Sequence, residues 1–241
     1  MSVAAPARRI DRRSLTQQAV DQLRGRILAG ELPPGTRLVE TALAEIAGLS
    51  RSTLRAALVE LSHEGLVTQV AYTRWSVAEL DAAGVSDLYA LRSALEGLGA
   101  RLAAERITKR AAGQLQRALD RLVRAATESS PTALTRADFA LHELIIALSN
   151  NAKLANHYRL IEQQVRMLIA SSNALATNPD EIVGQHRPIV DAIVAGRAEA
   201  AEALIREHHS SEGRRLAEHV RRHGGAGSQP HSASRQAPGG S

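Results

Sequence analysis

From residue 82 to residue 222 the apolar residues return every three to four positions, in segments broken by Pro, Gly, Asn or a capping Ser or Thr. That period belongs to amphipathic α-helices, and it divides the stretch into six of them. Asp81 or Ser86 can start the first, whose expected apolar face is Val85, Leu88, Leu91, Leu95, Leu98 and Leu102. Thr108 caps the second, with Leu115, Leu119, Leu122 and Val123 inward. Pro131 suits the first turn of the third, which runs to about Leu148. Asn150-Asn151 then breaks the pattern before a fourth over 153–171, Pro179-Asp180 opens a fifth to Val194, and a sixth covers 198–222.

The chain before this stretch is patterned differently. Ser14 can cap a helix with Leu15, Ala19, Leu23, Ile27 and Leu28 on one face, ended by Gly30 and the Pro33-Pro34-Gly35 turn. An extended piece at 37–39 precedes a short helix over 41–47, a Gly48-Leu49-Ser50 turn, and a second helix from Arg51 to about Glu64, closed by Gly65. Residues 66–70 and 76–80 are β-compatible and read as a hairpin. Helix, turn, helix and hairpin is the layout of a winged helix-turn-helix. The expected fold is therefore mainly α. A winged helix-turn-helix domain at 14–80 joins an antiparallel all-α bundle at 82–222, between a flexible basic arm at 1–13 and a disordered Gly/Ser/Pro-rich tail at 223–241.

Composition narrows the function classes. The 241 residues contain no cysteine, which excludes disulfides, thiolate metal sites and a cysteine nucleophile. Apolar residues make up 44% but only five are aromatic, Tyr72, Trp75, Tyr89, Phe139 and Tyr158, so the core is aliphatic. No apolar run reaches the roughly 18–20 residues of a membrane span, and no apolar segment follows Arg8, Arg9, Arg12 and Arg13, so neither a span nor a secretory leader is expected. The net charge of +5 is spread over both halves and argues only weakly for a nucleic-acid partner.

Placed arginines argue more strongly. Recognition helices enter the major groove by their N-terminal residues, where free N–H groups also favour phosphate. Here that end reads Ser50-Arg51-Ser52-Thr53, with Arg55 a turn later. Ser52 and Thr53 can donate to phosphate or base edges, and Arg51 or Arg55 can fork onto a guanine. The alternative is a capped helix with solvated arginines. Residues 15–80 resemble the N-terminal domain of the GntR transcriptional regulators, through Leu23-Arg24, Ile27, Gly30, the segment from Leu32 to Leu38, Glu40, Leu43-Ala44, Ser50-Arg51, Arg55, Ala57-Leu58, Leu61 and Gly65-Leu66-Val67. The resemblance implies that Arg37 contacts the operator backbone, that Ser50 caps the recognition helix and reaches phosphate, and that Arg51 and Arg55 serve that helix. The family's glycine-containing hairpin tip is replaced by Tyr72-Thr73-Arg74-Trp75, so Arg74 is expected to reach DNA on its own, with Trp75 packing.

In the helical region Asp138 and His142 are four apart and share one face with Leu134, Leu141 and Ile145. His186 is in phase with Ile182, Ile189 and Ile193, and His208 with Ala201, Leu204 and Ile205. One aspartate and three histidines on inward faces can converge on a divalent cation: zinc foremost, with nickel, manganese or iron also suited to these ligands. Taken singly, each histidine reads equally as a hydrogen-bonded core residue. Residues 82–222 are similar to the ligand-sensing FCD domain of the FadR-like branch of those regulators, in its compact six-helix form. The resemblance implies Asp138, His142, His186 and His208 as metal ligands, with His209 as competitor for the last place and packing phase favouring His208. It further implies that Arg92 and Glu96, an Arg-x3-Glu element, serve a carboxylic acid effector, that the protein is a cytoplasmic homodimer, and that it binds an inverted-repeat operator, as a repressor. The alternatives are a metal-dependent hydrolase built on the same residues, which lacks a HExxH helix or a spare base, and an effector-independent DNA-binding protein.

Overall fold

The computed structural model describes residues 14–70, 74–79, 81–128 and 130–223. The arm at 1–13, the tail beyond His223, and Tyr72 and Thr73 of the hairpin tip lie outside the described residues. Helix α1 (Leu15–Leu28) starts where the Ser14 hydroxyl accepts from the Gln17 backbone N–H at 3.1 Å. Strand β1 (Arg37–Leu38), α2 (Glu40–Ala47), α3 (Arg51–His63), β2 (Val67–Val70) and β3 (Arg74–Val77) complete the N-terminal unit. Gly48 closes α2 at φ 63°, a left-handed value that favours glycine. Two residues later Ser50 Oγ accepts from the Thr53 N–H at 3.1 Å and caps α3.

The sheet is antiparallel in the order β1-β3-β2, with Trp75 opposite Leu38 on one side and Gln69 on the other. The last strand was expected at 76–80 and runs instead over Arg74–Val77. Burial explains the shift: the Trp75 indole and Val77 face the core in alternation, and β1 adds a second pairing partner that reads Arg37 against Ser76. Arg74 and Trp75 are therefore strand residues rather than a hairpin tip. The core of this unit includes Val20, Leu23, Leu54, Leu58, Leu61 and Trp75, and Met167 from the helical region joins it.

The helical region consists of α4 (Ala82–Glu105), α5 (Lys109–Thr127), α6 (Pro131–Leu148), α7 (Ala152–Asn173), α8 (Pro179–Val194) and α9 (Ala198–His223). Side chains of Asp81, Thr108, Ser130, Asn151 and Asn178 cap the first five by accepting backbone N–H groups. Leu115, Leu119, Leu122, Leu141, Ile145, Val190, Ile193 and Ile205 fill the main core. This is the expected mainly α architecture, a winged domain followed by a helical bundle.

One helix is rotated from expectation. Leu91 and Leu98, predicted inward on α4, are 45% and 41% exposed, while Arg92 and Glu96 are buried. The buried face also carries Gly97, Ala100 and Ala104, small residues that let other helices approach closely. On α9 a Cβ at Gly213 would stand 3.0 Å from Tyr89 Cβ, which shows how tightly α4 and α9 meet there. Backbone proximity and a charged network, rather than the leucine stripe, set the phase of α4.

Candidate functional site

In the winged domain the expected DNA-facing residues collect on one surface. Arg37, Arg51, Arg55 and Arg74, from β1, α3 and β3, surround a concavity of about 240 Å³ together with Glu40, Thr41 and Trp75. The hydroxyls of Ser50, Ser52 and Thr53 lie 2.7–2.9 Å apart in a chain at the start of α3. Sequence reasoning assigned no role to Glu40. Its carboxylate accepts from Arg55 Nε at 3.1 Å and from the buried Trp75 Nε1 at 2.7 Å, tying α3 to the sheet. The bond from Arg55 holds the Glu40 carboxyl below its usual range, and the Trp75 N–H adds to the effect against partial burial.

The helical region brings Asp138 and His142 of α6, His186 of α8, His208 of α9 and Arg92 of α4 to the wall of one small cavity of about 10 Å³. His142 Nε2 and His186 Nε2 are 2.9 Å apart, and Asp138 Oδ1 is 3.2 Å from each. His208 lies over this group, its ring 4.6 Å from that of His186 and 5.6 Å from that of His142. Ligand atoms of the three histidines fall within 4.8 Å of one another.

The outer atoms of Asp138 and His186 are hydrogen-bonded, and that of His142 lies against a carboxylate. Asn173 donates to Asp138 Oδ2 at 2.9 Å, His186 Nδ1 donates to the Ile182 carbonyl at 2.6 Å, and His142 Nδ1 is 2.5 Å from Glu96 Oε2. Each is thus left with one inner atom facing the others, and Asp138 Oδ1, although buried, has no hydrogen-bond partner. Metal-ligating histidines and carboxylates are held in this manner by outer partners. Inner atoms about 3 Å apart match neighbouring ligands at bonds of about 2.0–2.2 Å. The donor set therefore fits a divalent ion.

Charge states agree with that fit. Burial would raise the Asp138 carboxyl, but His186 and His142 hold it well below its usual range. Burial, with His186 and His209 beside it, keeps His208 well below the usual imidazole value, so its ring is neutral. His209 is pulled down to about 3 by burial and by Arg92.

Glu96 sits behind the cavity rather than on it. Its Oε1 accepts from Arg92 Nε at 2.7 Å and Tyr158 Oη at 2.9 Å, while its Oε2 faces His142 and lies 2.9 Å from His209 Nε2. Burial would raise this carboxyl; Arg92, His142 and His209 outweigh it and hold it well below the ordinary range. The fully buried row on α9 runs Ala201, Ile205, His209, Glu212 and Leu216, so packing phase passes through His209, contrary to expectation. His208 is half-buried, and it is His208 that borders the cavity. Glu96, His142 and His209 form a second compact group, but its carboxylate is already shared among four partners. Sequence reasoning also missed Tyr89, Ser172, Asn173, Gln185 and Glu212, which with Ile169 complete the cavity wall.

Residues 15–75 match the family model described as bacterial regulatory proteins, gntR family, and residues 87–211 match the FCD domain. A probable D-xylose utilization operon transcriptional repressor of Paenarthrobacter nicotinovorans is 28% identical over 204 residues, covering 85% of this chain and 89% of that one. A helix-turn-helix transcriptional regulator from an unstable DNA locus of Streptomyces ambofaciens is 32% identical over 193 residues, 78% of each chain. Among solved structures, E. coli McbR/YncC superposes with a TM-score of 0.71 over 86% of this chain and 99% of its own, at 22% identity, a likeness of fold.

Proposed function

The chain belongs to the gntR family of bacterial regulators and carries an FCD domain, which makes it a DNA-binding transcriptional regulator rather than an enzyme, and we propose that it is a metal-containing repressor released or engaged by a small carboxylic acid. The observation that carries the metal is the inner triad of Asp138 Oδ1, His142 Nε2 and His186 Nε2 at 2.9–3.2 Å, with the outer atoms of Asp138 and His186 hydrogen-bonded and that of His142 against the Glu96 carboxylate. His208 completes the ligand set. Bound there, zinc or a similar ion supplies a Lewis-acidic anchor for an acid oxygen. Repression is supported by the Paenarthrobacter relative, a probable operon repressor.

Arg92 would bind the acid. Its Nη2 is buried without a hydrogen-bond partner at the cavity wall, and a guanidinium fork suits a carboxylate. Glu96 holds that arginine in place. The same unpartnered Nη2 weighs against an effector-independent protein, because an orphaned buried donor is costly unless a ligand meets it. The cavity of about 10 Å³ has room for little more than one water, so an acid binds by widening it. Ser172 and Asn173 of the cavity wall end α7, and Met167 on the same helix packs into the winged core. An acid that prefers the widened state thereby biases the position of the winged domain.

DNA binding would use Arg51 and Arg55 in the major groove, Arg37 and the Ser50, Ser52 and Thr53 hydroxyls on phosphate, and Arg74 beside the wing. The Arg51→Ala, Arg55→Ala double variant is expected to lose roughly 100-fold in operator affinity, at about 1–3 kcal/mol per base-reading arginine. Gel shift against promoter DNA selected by the wild type tests this, and retained affinity sinks the assignment. A homodimer on an inverted repeat is supported by the outward Leu91 and Leu98, seven residues apart on α4. Leu91→Asp, Leu98→Asp is expected to give a monomer by light scattering, and an unchanged dimer places the interface elsewhere. Among the described residues no helix is long and apolar enough to cross a membrane, in keeping with a cytoplasmic site of action.

A further inference from the structure

Among the residues that line the concavity of the winged domain, Glu40 is the one acid, set between Arg37, Arg51, Arg55 and Arg74. A carboxylate on a face that meets phosphate lowers affinity for DNA of every sequence, so its presence there calls for a compensating gain. Both of its oxygens face Arg55 Nε, Oε1 at 3.1 Å and Oε2 at 3.3 Å. That engages the Nε–H of the fork, and among the described residues no acceptor meets Nη1 or Nη2. The Arg55 side chain is 63% exposed against 18% for Glu40, so the carboxylate backs the guanidinium from the protein side. Glu40 is itself held. Trp75, buried on the central strand β3 and paired on both sides, donates Nε1–H to Oε1 at 2.7 Å. The indole cannot move without the sheet, so the carboxylate and the guanidinium in front of it inherit a fixed direction.

Resting on the reading of Arg55 as a base-contacting arginine, we propose that Glu40, buttressed by the Trp75 indole, aims Arg55 end-on at a guanine and thereby sets base specificity at one operator position rather than affinity for DNA. Guanine offers O6 and N7 as adjacent acceptors, which the two Nη groups meet together when the fork points end-on. An untethered arginine on an exposed surface reaches phosphate as readily as a base. One already fixed in the productive direction loses less freedom on binding and is committed to one geometry. Glu40 and Trp75 are thus positioning residues, acting through Arg55. A carboxylate in the first turn of α2 also favours that helix's dipole, but this role asks for no bond to Arg55 or to Trp75.

The test is fluorescence anisotropy of the full-length protein with promoter DNA selected by the wild type, with duplexes changed from it one base pair at a time, and with an unrelated duplex. Arg55→Ala identifies the base pair that Arg55 reads, as the position where the wild-type preference flattens. Glu40→Gln is expected to flatten the same position and to weaken the selected DNA about tenfold, while the unrelated duplex binds as tightly or more tightly. Trp75→Phe keeps a ring in the core but removes the N–H, and is expected to flatten that position in part. Glu40→Gln is the decisive variant, because it leaves the buried core untouched. Trp75 is the chain's single tryptophan, so its indole N–H gives one proton NMR signal, expected to move upfield in Glu40→Gln as a charge-assisted bond is lost. An unmoved signal means that the buttress is absent and overturns the proposal. If Glu40→Gln keeps the wild-type preference at the position that Arg55→Ala flattens, Arg55 reads its base unaided; the reading of Arg55 stands and the proposal is overturned. If Glu40→Gln weakens selected and unrelated duplexes alike, its role is structural and the proposal is again overturned. If Arg55→Ala flattens no position, the base-contacting reading of Arg55 falls and the proposal with it.

Discussion

Zinc added to chelator-treated protein is expected to raise its unfolding temperature by roughly 10 °C, and to do nothing for His186→Ala or Asp138→Ala. The size follows from linkage: a ligand at about 1,000 times its dissociation constant stabilises the state it binds by about 4 kcal/mol. In a chain of this length that corresponds to a few degrees per kcal/mol. The variants are expected to lose the shift because each removes one of three inner atoms that face one another at 2.9–3.2 Å. His142→Ala should behave alike, and should also free one partner of Glu96. Metal analysis after dialysis gives a second reading, about one ion per chain in the wild type against almost none in the variants. A His209→Ala control separates the two histidine groups. If it abolishes metal while His208→Ala does not, the ion sits between Glu96, His142 and His209 instead.

Much of this was legible from residue order, and the failures share a cause. Helix ends were readable because their signals are local: Ser14, Asp81 and Thr108 cap the helices that their positions announce. Asp138 and His142 were readable as a pair because spacing of four puts two residues on one face whatever the tertiary fold. The phase of α4 was not. Its leucines trace a stripe that would be the buried face of an ordinary amphipathic helix, yet Arg92 and Glu96 take the interior. Burial of those charges depends on Tyr158 and His209, which lie 62 and 113 residues from Glu96 in the chain. No local pattern announces partners at that distance. The same holds for α9, where neighbouring histidines divide between a cavity and a carboxylate, and for Glu212 and Tyr89, which share a cavity wall only once α4, α7, α8 and α9 have met.

Glu96→Ala is expected to be the most damaging single substitution in the helical domain, by about 3–5 kcal/mol, the usual loss when one member of a buried ion pair is removed. Arg92 would remain inside with its Nε unpaired in addition to Nη2, and Tyr158 and His209 would each lose their partner. At a few degrees per kcal/mol the unfolding midpoint should fall by roughly 10 °C, measured without metal so that ligand linkage does not enter. An exposed helix pair at the same spacing contributes only about 0.2–0.5 kcal/mol, so the two descriptions of the Arg92–Glu96 pair differ about tenfold in consequence. Glu96→Gln separates charge from hydrogen bonding. It keeps an acceptor for Arg92 and Tyr158 but presents an amide to one of its partners, so an intermediate loss of stability is expected. Its metal affinity should fall by about 10–100-fold, because the carboxylate that orients the His142 ring is gone. A midpoint within about 2 °C of wild type for Glu96→Ala would show that the pair is not sealed in the interior, and the buried network would have to be abandoned.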